Sequence, residues 1–167
     1  MSTNVKGNNF MSIEGMDTYI GTKISGAKPM NRQEYNDFRG WQLPGDEDGA
    51  DAGYIVQYSD GYVSWSPATQ FEEAYRPTTG MNFGLATEAM RKGHKVARAG
   101  WNGKGMYVFL VPGSTFTVNR APLLGIHPAG TVVNYHPHID MCTVDGSVVP
   151  WLASQDDMLS DDWCIAK

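Results

Sequence analysis

The sequence predicts an α+β protein of two small units, each an antiparallel sheet with short helices. Two runs and one break carry that prediction. In "GYIVQYSDGYVSWSP", residues 53–67, Tyr54, Val56 and Tyr58 before a Ser-Asp-Gly turn and Tyr62, Ser64 and Ser66 after it alternate with Ile55, Gln57, Val63 and Trp65, the pattern of a β-hairpin. Later, a capped amphipathic run from Asn82 leads through "HKVARAGW" into the continuous apolar "MYVFLV", residues 106–111, suited to a central strand. Between them "PTTG", residues 77–80, continues neither a helix nor a ladder, so residues 1–80 and 81–167 are read as separate domains.

Within the first unit a polar leader is expected to be mobile. "TYIGTKISGAKPM" then reads as a short strand that Pro29 prevents from extending. Asn31 followed by Glu34 forms a capping-box start for a helix that stops near Gly40. "GDEDGADAG" gathers Asp46, Glu47, Asp48 and Asp51, but not at the spacing of a calcium loop, and reads as a solvated acidic turn. Ser66 is expected to cap, and Pro67 to open, a second helix whose Phe71, Ala74 and Tyr75 share a face. Two readings stand for Trp41, Tyr54, Tyr58, Tyr62, Trp65, Phe71 and Tyr75: an aromatic-filled core or a ligand cage.

The second unit opens with Asn82 as N-cap. Phe83, Ala86, Ala89 and Met90 recur at helical spacing until Gly93, and Arg91, Lys92 and Lys95 sit where the helix dipole favours cations. From Pro112 to Pro137 a long excursion with little regular structure is expected. "IDMCTVDGSVVPW" reads as a hairpin around Asp145-Gly146, Ser154 starts the short helix "SQDDMLS", and "DWCIAK" ends the chain as a strand with Trp163 in the core. Units of about 80 residues bury marginal cores, so association is expected.

Composition excludes several classes. Residues 1–80 hold 6 Lys/Arg and 11 Asp/Glu, a net −5, while residues 81–167 hold 7 of each. Without a concentrated basic face, extended DNA or RNA is not the expected partner. No apolar run reaches the ~20 residues of a membrane span, and the N-terminus lacks the pattern of a signal peptide, so a cytoplasmic protein is expected. Cys142 and Cys164 form no CxxC pair and read as small residues in a reducing compartment.

No catalytic residue, cofactor or metal is assigned. His127, His136 and His138 suggest a metal only through a His-x-His pair that Pro137 interrupts; loop histidines bonded to backbone are the simpler reading. Neither cysteine lies in a nucleophile motif. "GWNGKG", residues 100–105, lacks the Gly-Lys-Ser/Thr ending of a phosphate loop. Even so, Trp101 offers a stacking face, Lys104 and Arg98 offer cations, and the glycines permit close approach to backbone N–H groups. Trp101 and Trp151 both adjoin polar, turn-prone sequence; each is either a platform for a planar base or a core residue.

"MNFGLATEAMRKGHKVARAGWNGKGMYVFLVPGS" and "NRAPLLGIHPAGTVVNYHPHIDMCTVDGSVVPWLASQDDMLSDDW" closely resemble the second family of Thoeris anti-defence proteins, over nearly all of residues 81–167. The resemblance implies a phage sponge, of a family whose members often begin at the Met-Asn-Phe-Gly corresponding to Met81, that sequesters cyclic ADP-ribose-type signals (glyco-cyclic ADP-ribose) of Thoeris immunity, and cyclic dinucleotides of CBASS immunity, without cleaving them. It also implies a homotetramer with ligand sites between subunits, acting in the cytoplasm of the infected bacterium. Family-like ligand positions fall at Phe83, Trp101 and Trp151. Asn82, Asn102, Gly103, Ser154 and Gln155 are added for base-edge, ribose or phosphate contacts, with Arg98, Lys104 and Asn119 behind them. Residues 1–80 depart from the minimal family pattern and resemble phage accessory domains of no assigned role. Their acidity would repel an anionic ligand, so they are expected to lie away from the pocket. A phage structural or interaction module, and an enzyme cleaving the nucleotide through His136, His138 or Asp140, are the competing functions.

Overall fold

The structure, a computed structural model, describes residues 22–167. The polar leader and the Thr18–Gly21 part of the first expected strand lie outside the described residues. The fold is α+β, with every strand pairing antiparallel.

β1 (Gly26–Pro29), β2 (Gly53–Gln57) and β3 (Val63–Pro67) form a sheet in that order. Pro29 ends the edge strand rather than lying beyond it; opposite Tyr54 it sits where a missing N–H costs least. α1 (Arg32–Arg39) has the expected capping box, Asn31 Oδ1 accepting from the Glu34 N–H at 2.8 Å and Glu34 returning to the Asn31 N–H at 2.8 Å. It stops at Gly40, whose φ of 69° is the left-handed value that glycine adopts freely. The acidic turn is tied down by Glu47, which takes both prongs of the Arg32 guanidinium.

Two expectations for this sheet are corrected. Ser66 does not cap α2 (Ala68–Ala74): it lies in β3 opposite Tyr54, and the ladder, not a side-chain cap, sets the entry to the helix through Pro67. Nor do the aromatics form one cage or one core. Tyr54, Phe71 and Tyr75 stack in series at 4.2 and 4.7 Å, Tyr58 pairs with Tyr62, and Trp41 and Tyr62 remain more than half exposed.

β4 (Val96–Arg98), β5 (Tyr107–Val111), β8 (His138–Cys142), β9 (Val148–Pro150) and β10 (Trp163–Ile165) form the second sheet in the order β10-β4-β5-β8-β9. "MYVFLV" thus supplies the central strand. α3 (Phe83–Arg91) lays Ala86, Ala89 and Met90 on this sheet, where Met81, Val96, Val108 and Trp163 complete the core. Two alanines on the buried face bring helix and sheet close together. Met81 is itself tied in, its N–H donating to the Trp163 carbonyl at 2.7 Å and its carbonyl accepting from the Trp163 N–H at 3.0 Å.

The 112–137 excursion is more regular than expected. β6 (Ser114–Thr117) and β7 (Val132–Tyr135) pair from Ser114↔Tyr135 to Thr117↔Val132, with the single turn α4 (Leu123–Ile126) between them. Thr115, Thr117, Val132 and Val133 favour a pleated surface, but Pro122 and Pro128 interrupt the pattern between the strands and conceal it. α5 (Gln155–Leu159) connects the second hairpin to β10. No helix among the described residues is long and apolar enough to cross a membrane.

Candidate functional site

Three chain turns bring aromatic side chains around Trp163, which is fully buried. Phe83 is the first residue of α3, placed by the Asn82 cap, whose Oδ1 accepts from the Leu85 N–H at 2.9 Å. Trp101 follows β4 on a turn in which the Gly100 N–H donates to Asp162 Oδ2 at 2.7 Å. Trp151 follows β9, its N–H donating to the Ile139 carbonyl at 2.9 Å. Ring centroids lie 5.5 Å from Trp163 for Phe83, 5.4 Å for Trp101 and 6.0 Å for Trp151, with Trp101 and Trp151 6.1 Å apart. The indole pairs are edge to face, as the ring quadrupoles prefer. Phe83, Trp101 and Trp151 are each half-buried: they pack on the core and still present surface.

Behind this cluster is a polar knot centred on Asp157, which is 8% exposed. Its Oδ1 accepts from Arg98 at 3.0 Å and from Trp101 Nε1 at 3.1 Å; its Oδ2 accepts from the Ser154 hydroxyl at 2.7 Å and the Ser154 N–H at 3.1 Å. The Asp157 carbonyl accepts from Trp163 Nε1 at 2.8 Å. Arg98 bridges to Asp162 as well, Nε to Oδ1 at 2.8 Å. Burial alone would raise the Asp157 pKa, but the bonds from Ser154, Arg98 and Trp101 outweigh it and hold the carboxyl below the usual carboxylate range. Arg98 holds Asp162 low in the same way, and the two carboxylates raise the arginine further.

The anticipated residues divide accordingly. Phe83, Trp101 and Trp151 come together, and Arg98 and Ser154 join them through Asp157. Asn82 and Ser154 both serve as helix caps. Gln155 is exposed at the first position of α5, and Asn102 and Lys104 are exposed on the turn beyond Trp101. Gly103 is packed rather than open: a Cβ there would lie 2.1 Å from Met106 Sδ and 2.7 Å from Val144 Cγ2. Asn119 belongs to the β6–β7 excursion, a different sheet from the one bearing the aromatics. Asp157 and Asp162 were not singled out as site residues. Their only sequence signal is local, an acid three residues after the Ser154 cap and another immediately before Trp163.

The other candidates lie apart. His138 Nδ1 donates to the His136 carbonyl at 3.0 Å, and no group of three or more potential metal ligands occurs among the described residues. Cys142 and Cys164 are free and lie on different strands, opposite Tyr107 and Ala97. One cavity of about 440 Å³ is lined by Tyr107, Phe109, Lys95 and His94, and another of about 340 Å³ by Phe38, Ile55 and Val63. Neither is lined by Phe83, Trp101 or Trp151.

Comparison with known proteins falls on the half of the chain that carries the aromatic cluster. Residues 81–166 match the Thoeris anti-defense 2-like domain. "Thoeris anti-defense 2" of Bacillus phage SP01 is 34% identical over 89 residues, which cover 98% of that protein and 53% of this chain. With its buried Met81, its capped α3 and both edge tryptophans inside the matched region, this chain belongs to the Thoeris anti-defense 2-like family.

Proposed function

We propose that this protein is a phage anti-defence sponge: it binds a cyclic ADP-ribose-type immune signal, glyco-cyclic ADP-ribose, and keeps it from its receptor in the infected host's cytoplasm without cleaving it. Cyclic dinucleotides are the second ligand class. The observation that carries the reading is the set of half-buried aromatic faces of Phe83, Trp101 and Trp151 around Trp163. Aromatic faces bind bases reversibly, each stack contributing about 1–3 kcal/mol. The polar groups next to them are bonded to one another, an arrangement suited to holding shape rather than activating a nucleophile.

Residues 81–167 form the ligand-binding domain in this proposal, and residues 1–80 an accessory domain set away from it. The first 80 residues carry a net −5, which would oppose a phosphorylated ligand at close range. A second copy completes the site. Leu152 is 91% and Leu159 81% exposed, and Val148 and Val149 are exposed on the edge strand β9, next to Trp151 in the chain. An apolar surface of that kind suits self-association into a tetramer. The same surface is what favours the second reading, a protein-interaction module.

Mixing the purified protein with glyco-cyclic ADP-ribose and cyclic dinucleotides, filtering away free ligand, denaturing and identifying the released compound tests the proposal. Intact ligand is expected. Altered nucleotide would make the protein an enzyme, and no nucleotide would leave the interaction module.

A further inference from the structure

We propose that Asp157 is the positioning residue of the aromatic platform, locking Trp101 through its carboxylate and the buried Trp163 behind it through its carbonyl, so that ligand meets a Trp101 face held in one orientation. This rests on the aromatic cluster being the ligand site. The geometry leaves Asp157 no idle polar atom. One carboxylate oxygen accepts from Trp101 and Arg98, the other from Ser154 twice, the N–H donates to the Ser154 hydroxyl at 3.1 Å, and the carbonyl accepts from Trp163. Two of these bonds, those from Trp101 and Arg98, join positions 56 and 59 apart in the chain, so the Asp157 side chain ties the β4 turn to α5, while Asp162 ties the same turn to the segment before β10.

Two consequences reach the ligand. With its N–H engaged, Trp101 has a fixed edge and offers its remaining surface for stacking. With Arg98 between Asp157 and Asp162, the knot carries one positive and two negative charges, so it does not attract a phosphate. Asparagine would keep the size of Asp157 but not the function: in either amide orientation its NH2 faces donors that the carboxylate accepted from.

The test is a double-mutant cycle in the full chain, using Asp157→Asn and Trp101→Phe, with glyco-cyclic ADP-ribose as probe. Phenylalanine keeps a stacking face and removes the N–H. Asp157→Asn is expected to weaken binding roughly tenfold in the wild-type background and by less than about threefold beside Trp101→Phe. Equal losses in both backgrounds, or no loss, would overturn the proposal. A second readout is independent of ligand. The Trp101 indole N–H resonance of the wild-type protein should exchange slowly with solvent, and in Asp157→Asn it should shift more than that of Trp163. Fast exchange in the wild type, or an unmoved resonance in the variant, would also overturn it. If the wild type binds no probe while the indole results hold, the sponge reading fails and the positioning role of Asp157 stands; if Asp157→Asn does not fold, the wild-type exchange rate decides.

Discussion

Trp101 and Trp163 meet at 5.4 Å with their planes 76° apart, and both indole N–H groups donate to the same residue, Asp157. The two rings differ in what they leave open. Trp163 is fully buried and Trp101 is not, so removing them should give opposite phenotypes. Trp101→Ala should lower ligand affinity by about 1–3 kcal/mol with a folded protein remaining. Trp163→Ala should cost about 3–5 kcal/mol of stability through the cavity it leaves. Calorimetric titration and denaturant unfolding on both variants separate the two roles.

Acid should loosen the knot. Asp157 and Asp162 have folded-state pKa values below those of an unfolded chain, so the unfolded state binds more protons as pH falls. Their contribution is therefore complete above the unfolded aspartate value of about 4 and is lost as pH drops through the lower folded values. Urea unfolding between about pH 7 and pH 2.5 should show the wild-type advantage over Asp157→Asn shrinking at the acid end.

Gly53 tests whether the two halves are independent. A Cβ there would enter the Trp65 ring at 2.3 Å and approach the Ser66 carbonyl oxygen at 2.6 Å. Gly53→Ala should destabilise the β1–β2–β3 sheet by about 1–3 kcal/mol. Ligand affinity should not change, as measured by titration below the first unfolding transition. A parallel loss of affinity would argue against separate domains.

Charging the exposed leucines should break the assembly. If the protein assembles as proposed, Leu152→Asp together with Leu159→Asp is expected to shift the proposed tetramer to smaller species in sedimentation velocity, and to weaken binding if the site is shared between subunits. Both side chains are already largely solvent-exposed in one chain, so the fold itself should tolerate the change.

A chain of residues 81–167 should keep the ligand affinity of the whole protein. The Bacillus phage relative is matched over 98% of its length by 89 residues of alignment, so a protein of about that size carries the same domain. A folded 81–167 chain that no longer bound, measured by equilibrium dialysis, would place the first 80 residues in the site.

What the sequence made legible was local. The caps at Asn31, Asn82 and Ser154 act within three residues, and the hairpins ending at Pro67 and Pro150 advertise themselves by alternation and by Asp-Gly turns. The β6–β7 pair was not legible because two prolines break the pattern between its strands. Asp157 was legible as an N-terminal helix residue but not as a hub, because Arg98 and Trp101 reach it from more than fifty positions away and no short window contains both ends. Trp101 and Trp151 stand out in the sequence as tryptophans beside polar turns, and Phe83 only through the family resemblance; that all three gather round Trp163 is a long-range relation no short window contains.

Met81 is 4% exposed and sits in a two-way backbone bridge with Trp163. In a gene that started there, the initiator would be a core side chain. Excising it after translation would remove the methionine side chain and both backbone bonds of that bridge, so a short form lacking its first residue is expected to be the less stable one. An intact mass one methionine lighter should mark the unstable fraction of such a preparation.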